Sequence, residues 1–237
     1  MILIAESGST KCDWVLLDSS NKEPKRIRTK GLNPAILKKK ELKKIITENK
    51  EFSEYKNLIT DIYFFGAGCN TTKSKNNVQL VLSDCFKKAT SMVEEDTMAA
   101  VYATTKTPAV VCILGTGSNC CYFNGTTIHS KAPSLGFLVM DEGSGNYFGK
   151  ELLKAYYYKQ MPEELRIIFE EKFDLKEKKV LKKLYQSKTP NKYLAGFAIF
   201  LFENISHSFM KKILNEGMDK FIENHIIQYS KELETVP

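Results

Sequence analysis

The sequence predicts an α/β protein built from two similar units. The chain has 237 residues, 43% of them hydrophobic, which is enough for one large core or two moderate ones. Short apolar runs alternate with helical stretches through the first half. One plan, an apolar strand followed by a Gly/Ser/Thr turn and a returning strand, occurs at 2–10 and again at 111–119. We therefore predict units at 1–107 and 108–237 with a cleft between them.

The first unit is predicted to begin with strands and to continue as alternating helices and strands. Of the first three strands, the third is polar enough to be an edge strand. A helix with one apolar face follows, then a buried strand that ends in a glycine turn, and then a second helix. In order, the elements are Met1–Ala5, Cys12–Asp18, Pro24–Lys30, a helix around Leu42, Ile62–Gly68, a helix containing Val78, Leu82 and Phe86, and a segment that begins at Glu94.

The second unit repeats the strand pattern but is predicted to lack its closing strands. Its predicted strands are Ala109–Leu114, Asn119–Phe123 and a third near Leu135–Met140. The Asn124-Gly125 pair after the second strand is a strong hairpin signal. From Tyr147 onward the pattern is almost wholly helical, with an apolar stripe formed by Leu194, Phe197, Ala198, Leu201, Phe202 and Ile205. We therefore expect a second unit whose fold is unfinished where the sequence stops.

Charge and cysteine usage favour a cytoplasmic protein that does not bind nucleic acid. The net charge is +7, but the lysines at 38–46 and 177–184 alternate with apolar residues at helical spacing, as on a solvated helix face. No apolar run reaches membrane-spanning length, and the N-terminus lacks the pattern of a signal peptide. No two of the six cysteines have C-x-x-C spacing, so we expect buried or partly buried thiols in a reducing compartment and no metal cluster.

Two polar hairpins carry residue types that bind phosphate, namely glycines, hydroxyls and a lysine beside exposed backbone N–H groups. The candidates are Gly8, Ser9, Thr10 and Lys11 in the first hairpin and Gly115, Thr116, Gly117 and Ser118 in the second. Glu6 lies at the end of the strand before the first hairpin, where a carboxylate can hold a hydrated Mg²⁺. Either hairpin alone could be an ordinary polar turn, but their repetition favours phosphate binding. The segment 143–150 has neither Walker A nor dinucleotide-motif spacing.

Five motifs in order carry a family resemblance. Two are the phosphate motifs Glu6–Trp14 and Leu114–Asn119, and the others are Gly31–Pro34 with Asn33, Glu94–Ala100 with Asp96, and Gly136–Gly145 with Asp141. Together they resemble the N-acetylglucosamine kinase and BadF-type ATPase family of the actin/hexokinase superfamily. The chain departs from the family pattern in two respects. Glu6 stands where aspartate is commoner, and the glycine-rich adenosine motif is missing.

The resemblance implies two ribonuclease-H-like, actin-like ATPase lobes with a nucleotide cleft between them and the second lobe incomplete. It implies an ATP-dependent kinase of an amino sugar, most closely N-acetylglucosamine at its 6-hydroxyl, with Mg²⁺ near Glu6. Asp96 is then the catalytic base, and Asn33, Asn119 and Asp141 bind the substrate. From spacing alone, Asp96 could instead be a helix N-cap, and Asp141 could serve only to fix its loop.

Two other functions are compatible with the same sequence. One is a non-kinase BadF-type ATPase, although the cysteines do not fall in a loop suited to a cluster at a dimer interface. The other is an inactive truncated remnant that binds a sugar or a partner. The expected partner is a small-molecule sugar. Neither nucleic acid nor a membrane is expected, and a homodimer is compatible with the resemblance.

Overall fold

The chain divides into two compact units, Met1–Thr104 and Thr105–Pro237. The computed structural model describes residues 1–8, 10–18, 20 and 23–234. Each unit has a β-sheet and a hydrophobic core of its own. Among the described residues, every helix is too short or too polar to cross a membrane.

Unit 1 is a five-stranded sheet with helices. Its elements are β1 Ile2–Ser7, β2 Lys11–Leu17, β3 Lys25–Lys30, α1 Lys39–Thr47, α2 Phe52–Tyr55, β4 Asp61–Gly66, α3 Thr72–Cys85, β5 Thr90–Glu95 and α4 Asp96–Thr104. The strand order is β3-β2-β1-β4-β5. Strands β1, β2 and β3 form an antiparallel meander, and β4 and β5 add in parallel to β1. The polar strand β3 lies at the edge, as its sequence predicts.

The core of unit 1 forms because alternate residues of the central strands point to the same face of the sheet. Leu3 and Ala5 of β1 and Trp14 of β2 are fully buried. The Trp14 ring meets Phe52 edge-on at 5.1 Å, and Phe52 meets Phe86 at 5.5 Å, both favourable geometries for aromatic pairs. These contacts place α2 and the end of α3 against the sheet.

Helix α3 begins at Thr72 because Thr71 caps it. The Thr71 hydroxyl oxygen accepts a hydrogen bond from the Ser74 backbone N–H at 3.1 Å. The Ser74 hydroxyl oxygen accepts in return from the Thr71 backbone N–H, also at 3.1 Å. This reciprocal arrangement satisfies two N–H groups that the first helical turn would otherwise leave without partners.

Unit 2 combines a three-stranded antiparallel sheet with a larger helical part. Its elements are β6 Ala109–Leu114, β7 Ser118–Phe123, β8 Ile128–His129, α5 Gly145–Tyr157, α6 Glu163–Lys172, α7 Glu177–Tyr185, α8 Pro190–Ala195, α9 Ala198–Glu203, α10 Ser208–Phe221, a π-helix Ile222–Ile226, a 3₁₀-helix Ile227–Tyr229 and α11 Ser230–Leu233. The strand order is β6-β7-β8, and the hairpin predicted at Asn124-Gly125 joins β7 to β8.

The strand expected near Leu135–Met140 is not formed, and that prediction is wrong. Gly136 has a φ of +75°, and the N–H groups of Val139 and Met140 both donate to its carbonyl oxygen, which closes a turn. Leu138 and Val139 are 81% and 67% exposed, so these apolar side chains are not buried as they would be in a strand of the core. The third strand of the sheet is instead the two-residue β8.

The helical core of unit 2 centres on a group of phenylalanines. Phe169 is fully buried and contacts Phe173 and Phe200, with both ring-centroid distances at 4.9 Å. Most of the predicted apolar stripe is buried in this core, but Phe202 is 55% exposed. The stripe is also divided between two short helices, since α8 ends at Ala195 and α9 begins at Ala198.

Candidate functional site

In unit 1 the topology gathers the predicted site residues at one edge of the sheet. Strands β1, β4 and β5 run in the same direction, and β3 does too because it is antiparallel to β2. Their carboxyl ends therefore share an edge, where α/β proteins commonly bind ligands. The segments that follow these ends contain Gly8, Asn33, the turn 66–69 and Asp96, and Lys11 begins β2 at the same edge.

Ser7 joins three of these segments, and the sequence analysis did not single it out. It is fully buried at the end of β1. Its hydroxyl oxygen accepts from the Leu32 N–H at 2.8 Å, and its carbonyl oxygen accepts from the Ala67 N–H at 2.8 Å. The loops that carry Asn33 and the glycine turn are thereby fixed to the end of β1. Only its place just before Gly8 marks this residue in the sequence.

Asn33 is buried and its amide is held in one orientation. Its Oδ1 atom accepts from the Ala35 N–H at 2.9 Å, and its backbone carbonyl accepts from Leu37 at 2.9 Å. Gly68 packs directly on this amide, because a Cβ added at Gly68 would lie 2.1 Å from Asn33 Oδ1. Gly68 also has a φ of +80°, a conformation that favours glycine. The β4–α3 turn therefore fixes the Asn33 side chain.

Asp96 is the first residue of α4 and is partly buried. Its Oδ1 atom accepts from the Thr97 backbone N–H at 3.0 Å. Burial raises the pKa of Asp96, while this hydrogen bond and one from its own backbone oppose the shift. Burial also raises the pKa of Cys69 to about 12, with the Asp96 charge as the next cause, which places Asp96 beside the glycine turn. A carboxyl with a raised pKa is a stronger proton acceptor when ionised.

Glu6 lies on β1 close enough to Asp96 to sense its charge. Its side chain reaches solvent, yet surrounding protein atoms raise its pKa, and the Asp96 carboxylate adds to that rise. The nearby Lys11 ammonium works in the opposite direction. The neighbouring carboxylates of Glu6 and Asp96 create a negative potential, and such a potential favours the binding of a cation.

Lys11 is paired within the protein. Its ammonium donates to Asp13 at 2.6 Å, and Arg28 Nε donates to the other oxygen of Asp13 at 2.5 Å. These hydrogen bonds hold the pKa of Asp13 below its ordinary value, and burial partly opposes them. Gly8 and Thr10 lie between β1 and β2, and Ser9, the remaining member of the predicted motif, lies outside the described residues.

In unit 2 the hairpin Gly115–Ser118 is attached to the start of α5. The Gly115 N–H donates to the Gly117 carbonyl oxygen at 2.9 Å and closes the turn. The Gly145 N–H donates to the Gly115 carbonyl at 2.8 Å, and the Asn146 N–H donates to the Thr116 carbonyl at 3.0 Å. These bonds use backbone donors that a helix N-terminus leaves unpaired. The hairpin is thus held by its carbonyls, and Thr116 remains exposed at the tip.

Asp141 connects the same two elements through its side chain. It is 6% exposed and has a φ of +76°. Its Oδ1 atom accepts from the Ser118 N–H at 3.2 Å, and its Oδ2 atom accepts from Asn146 Nδ2 at 2.7 Å. A Cβ added at Gly117 would lie 2.8 Å from Asp141 Oδ2. Both carboxylate oxygens are therefore engaged in fixing the hairpin.

Asn146 is a second residue that the sequence analysis missed. It is fully buried, and its Nδ2 atom donates both to Asp141 and to the Thr116 carbonyl at 2.6 Å. Its Oδ1 atom and the Ser118 hydroxyl are buried without a hydrogen-bond partner among residues 1–8, 10–18, 20 and 23–234. The sequence signal available was its position directly after Gly145, at the start of a helix.

Asn119 does not take part in the hydrogen bonds that join Asp141, Ser118 and Asn146. It lies on β7 next to Ser118, but neighbouring strand residues point to opposite faces of a sheet. Its Oδ1 atom accepts from the Cys120 N–H at 2.9 Å, a local bond. The structure thus brings Asn33, Glu6 and Asp96 to one edge of unit 1 and joins Gly115–Ser118 to Asp141 in unit 2, while Asn119 stays apart from Asp141.

The carboxylates present suit Mg²⁺ better than a metal that needs a complete protein cage. In the described part of the chain, no three His, Cys, Asp or Glu side chains cluster as metal ligands. Mg²⁺ usually takes one or two carboxylates and completes its shell with waters and phosphate oxygens. Glu6 and Asp96 provide such carboxylates.

The candidate residues do not line the surface cavity that forms elsewhere in unit 2. That cavity, of about 430 Å³, lies in the helical part of unit 2 against Phe173, Tyr193 and Phe197. It is open and lacks the carboxylates and glycine turns described above, so shape alone does not identify the chemistry.

Comparison with solved structures defines the class of protein. The chain is 29% identical to a protein from Porphyromonas gingivalis named as a candidate N-acetylglucosamine kinase, with a TM-score of 0.90 over 98% of this chain and 82% of that one. A protein of the same name from Chromobacterium violaceum is 12% identical, with a TM-score of 0.67 over 92% of this chain and 79% of that one. Comparisons with family models and with curated proteins find no match.

The chain therefore has the fold of the actin/hexokinase ATPase superfamily. Within that superfamily it is similar to proteins named as candidate N-acetylglucosamine kinases, so the resemblance inferred from its motifs is confirmed. The second of these similarities, at 12% identity, is one of fold alone.

Proposed function

We propose that the protein is an ATP-dependent sugar kinase that transfers the γ-phosphoryl group to an amino sugar, N-acetylglucosamine at its 6-hydroxyl. The observation that carries this proposal is the partly buried Asp96, whose pKa is raised, at the same sheet edge as Glu6 and the fixed amide of Asn33. The name of the Porphyromonas gingivalis protein supports the choice of sugar.

Asp96 acts as the general base in this proposal. Its carboxylate accepts the proton of the sugar hydroxyl as that oxygen attacks the γ-phosphorus. Because burial disfavours the charged form, the ionised carboxylate has a stronger tendency to take up that proton. Asn33 binds a sugar hydroxyl or the acetamido group, and the Gly68 contact keeps its amide in the required orientation.

The two glycine hairpins bind the nucleotide phosphates in this proposal. Gly8–Lys11 supply backbone N–H groups, hydroxyls and an ammonium group. Gly115–Ser118 contribute through the exposed Thr116 at the tip, because the Gly115 and Ser118 N–H groups already donate to Gly117 and Asp141. Glu6 would hold a hydrated Mg²⁺, and the ion would supply positive charge to neutralise the phosphates. The proposed enzyme acts in the cytoplasm, where ATP is available. Asp141 then has a supporting role, since its oxygens already accept from Ser118 and Asn146.

A coupled assay of ADP release with a panel of hexoses and amino sugars tests the proposal. We expect turnover with N-acetylglucosamine well above the background without sugar, and a product carrying phosphate on C6 by NMR. Equal ADP release with every sugar would contradict the kinase assignment. Separate titrations of ATP and sugar distinguish the alternatives, because a non-kinase ATPase binds only the nucleotide and an inactive remnant binds only the sugar.

A further inference from the structure

Two cysteines face each other just below the tip of the unit 2 hairpin. Cys112 in β6 and Cys120 in β7 are directly opposite in the antiparallel register. Their sulfur atoms are 3.5 Å apart, and neither is in a disulfide. Cys112 lies two residues before the end of β6, and Cys120 lies two residues after the start of β7.

The backbone at this pair suits a disulfide. Opposite residues of an antiparallel pair have Cα atoms about 4.5–5.5 Å apart. Disulfides span Cα separations of about 4.4–6.8 Å. The sulfurs need to approach each other by only about 1.5 Å to reach bonding distance, which side-chain rotation can supply.

The two thiols differ in access. Cys112 is exposed on β6, an edge strand of the β6-β7-β8 sheet. Cys120 is 4% exposed and packs with Phe221 and Tyr229. The Tyr229 hydroxyl also donates to the Cys120 carbonyl oxygen at 3.2 Å. An oxidant in solution therefore reaches the Cys112 sulfur first, and the Cys120 sulfur lies 3.5 Å from that atom.

We propose that Cys112 and Cys120 form a modification site at which a peroxide converts the two thiols into an intramolecular disulfide. The Cys112 thiolate attacks one peroxide oxygen, the O–O bond breaks, and Cys112 becomes a sulfenic acid while the leaving oxygen takes a proton. The Cys120 sulfur then attacks the Cys112 sulfur. The S–S bond forms, the S–O bond breaks, and the Cys120 proton leaves with the hydroxyl as water.

The hydrogen bond between the two sulfurs favours this order of events. This hydrogen bond lowers the pKa of the Cys112 thiol, against the effect of burial, and raises the pKa of the Cys120 thiol. The thiolate is the reactive form, so Cys112 is the more reactive member of the pair. By contrast, burial raises the pKa of the Cys12, Cys69 and Cys85 thiols.

The disulfide would tie β6 to β7 directly below the Gly115–Ser118 turn. It depends only on the geometry of the cysteine pair, so it holds whether or not the protein is a kinase. A small thiol reductant would reverse it by thiol–disulfide exchange at the exposed Cys112 sulfur.

Thiol counting on the full chain tests the proposal. The reduced protein is treated with hydrogen peroxide, denatured, labelled with a maleimide and weighed by mass spectrometry. We expect the number of free thiols to fall from six to four and to return to six after dithiothreitol. Fragmentation of the tryptic peptide 107–131 should show a bond between residues 112 and 120, and not between 112 and 121.

Matched variants make the outcome decisive. Cys112→Ser changes an exposed side chain, so it should fold normally and should not lose two thiols at the same peroxide dose. Cys85→Ser, which alters a half-buried cysteine of unit 1, should still lose two. An unchanged thiol count in the wild type, an equal loss in Cys112→Ser, or a disulfide-linked dimer on a non-reducing gel would each overturn the proposal.

Discussion

Asp96 makes the contact of a helix-start residue, yet burial raises the pKa of its carboxyl. Its Oδ1 atom accepts from the N–H of the next residue, Thr97, in the first turn of α4. A role limited to capping would not require a carboxylate, because asparagine caps helices equally well. Asp96→Asn therefore separates the two roles.

We predict that Asp96→Asn lowers kcat by a factor on the order of 10² or more, with little change in the affinity for sugar. Asparagine retains the shape and the bond from Thr97 but cannot take up a proton at neutral pH. Steady-state kinetics with N-acetylglucosamine provide the measurement. Near-normal turnover would show that residue 96 is only a helix cap.

The same substitution should stabilise the fold at neutral pH. The pKa of Asp96 is raised in the folded state by burial, so the folded protein binds this proton more tightly than the unfolded chain. The favourable contribution of protonated Asp96 to folding stability is complete when the pH is below the pKa of this carboxyl in the unfolded chain. It is lost as the pH rises through the pKa of the carboxyl in the folded protein. Asparagine carries no charge, so Asp96→Asn should raise the Tm at pH 7, on the order of 2–4 °C per kcal/mol gained.

The stabilisation should shrink as the pH falls below the raised pKa and should disappear below about 4, where Asp96 is protonated in both states. Melting curves from pH 3.5 to 7.5 for the wild type and Asp96→Asn give the comparison. A Tm difference that does not vary with pH would contradict the assignment of a raised pKa to this carboxyl.

Gly68 offers a test of Asn33 that leaves Asn33 itself unchanged. Gly68→Ala places a Cβ at 2.1 Å from Asn33 Oδ1 and should displace the amide, raising the KM for sugar. Gly125→Ala is the matched control, since Gly125 has a φ of +97° but its nearest neighbours are Pro108 atoms at 3.8 Å. Both variants should lose about 1–2 kcal/mol of stability from backbone strain. Equal KM values in the two variants would argue against Asn33 as a sugar ligand.

At the residue scale, the sequence identified candidate residues whose side-chain type and motif suggest a chemical role. It did not identify residues whose role depends on tertiary contacts. The candidates Asp96 and Asn33 stand out by residue type and motif. Ser7 and Asn146 matter because of bonds to Leu32 and Thr116, which are distant in sequence. No local pattern specifies such a bond, because the fold decides which backbone group comes within reach.

At the scale of elements, the strongest patterns predicted the strands, and weakly apolar segments were the ones missed. Strand β5, Thr90–Glu95, was not predicted because Val93 is its only buried residue. It is a strand because its backbone pairs in parallel with β4. The segment 135–140 is the reverse case, since its apolar residues favoured a strand but Gly136 places a turn there. Pairing partners and turns overrode propensity in both cases.

The attachment of the hairpin to α5 should depend on the charge of Asp141. In Asp141→Asn the backbone φ of +76° remains acceptable, since asparagine tolerates this region. The new side-chain amide can accept from the Ser118 N–H, but it then presents a donor to Asn146 Nδ2, which leaves buried donors unpaired. We expect a loss of about 1–3 kcal/mol in the free energy of unfolding, measured by urea denaturation.

Asp174→Asn is the control for that measurement. Asp174 is an exposed residue of unit 2 that pairs with Lys179, and a surface ion pair contributes about 0–1 kcal/mol. If Asp141→Asn costs no more than this control, the carboxylate does not anchor the hairpin. Asp141 would then be free for the substrate contact that its motif predicts.

At the scale of the whole molecule, the two units have separate cores of different character. Unit 1 is built on a five-stranded sheet and unit 2 on helices around aromatic residues. The repeated strand–turn–strand plan is the sequence feature that predicted two units. Strand pairing partners and helix packing were not predictable, because both depend on contacts between residues far apart in the chain.

The separate cores predict that the units unfold as distinct cooperative blocks. The chain has one tryptophan, and Trp14 is fully buried in the core of unit 1, so its fluorescence reports on that unit. Most of the helical signal in circular dichroism comes from unit 2. Leu152→Ala creates a cavity in unit 2 and should cost about 2–5 kcal/mol there, lowering the midpoint by circular dichroism while the fluorescence midpoint stays unchanged. Leu3→Ala in unit 1 should do the opposite. If either variant shifts both probes equally, the units unfold as one cooperative block.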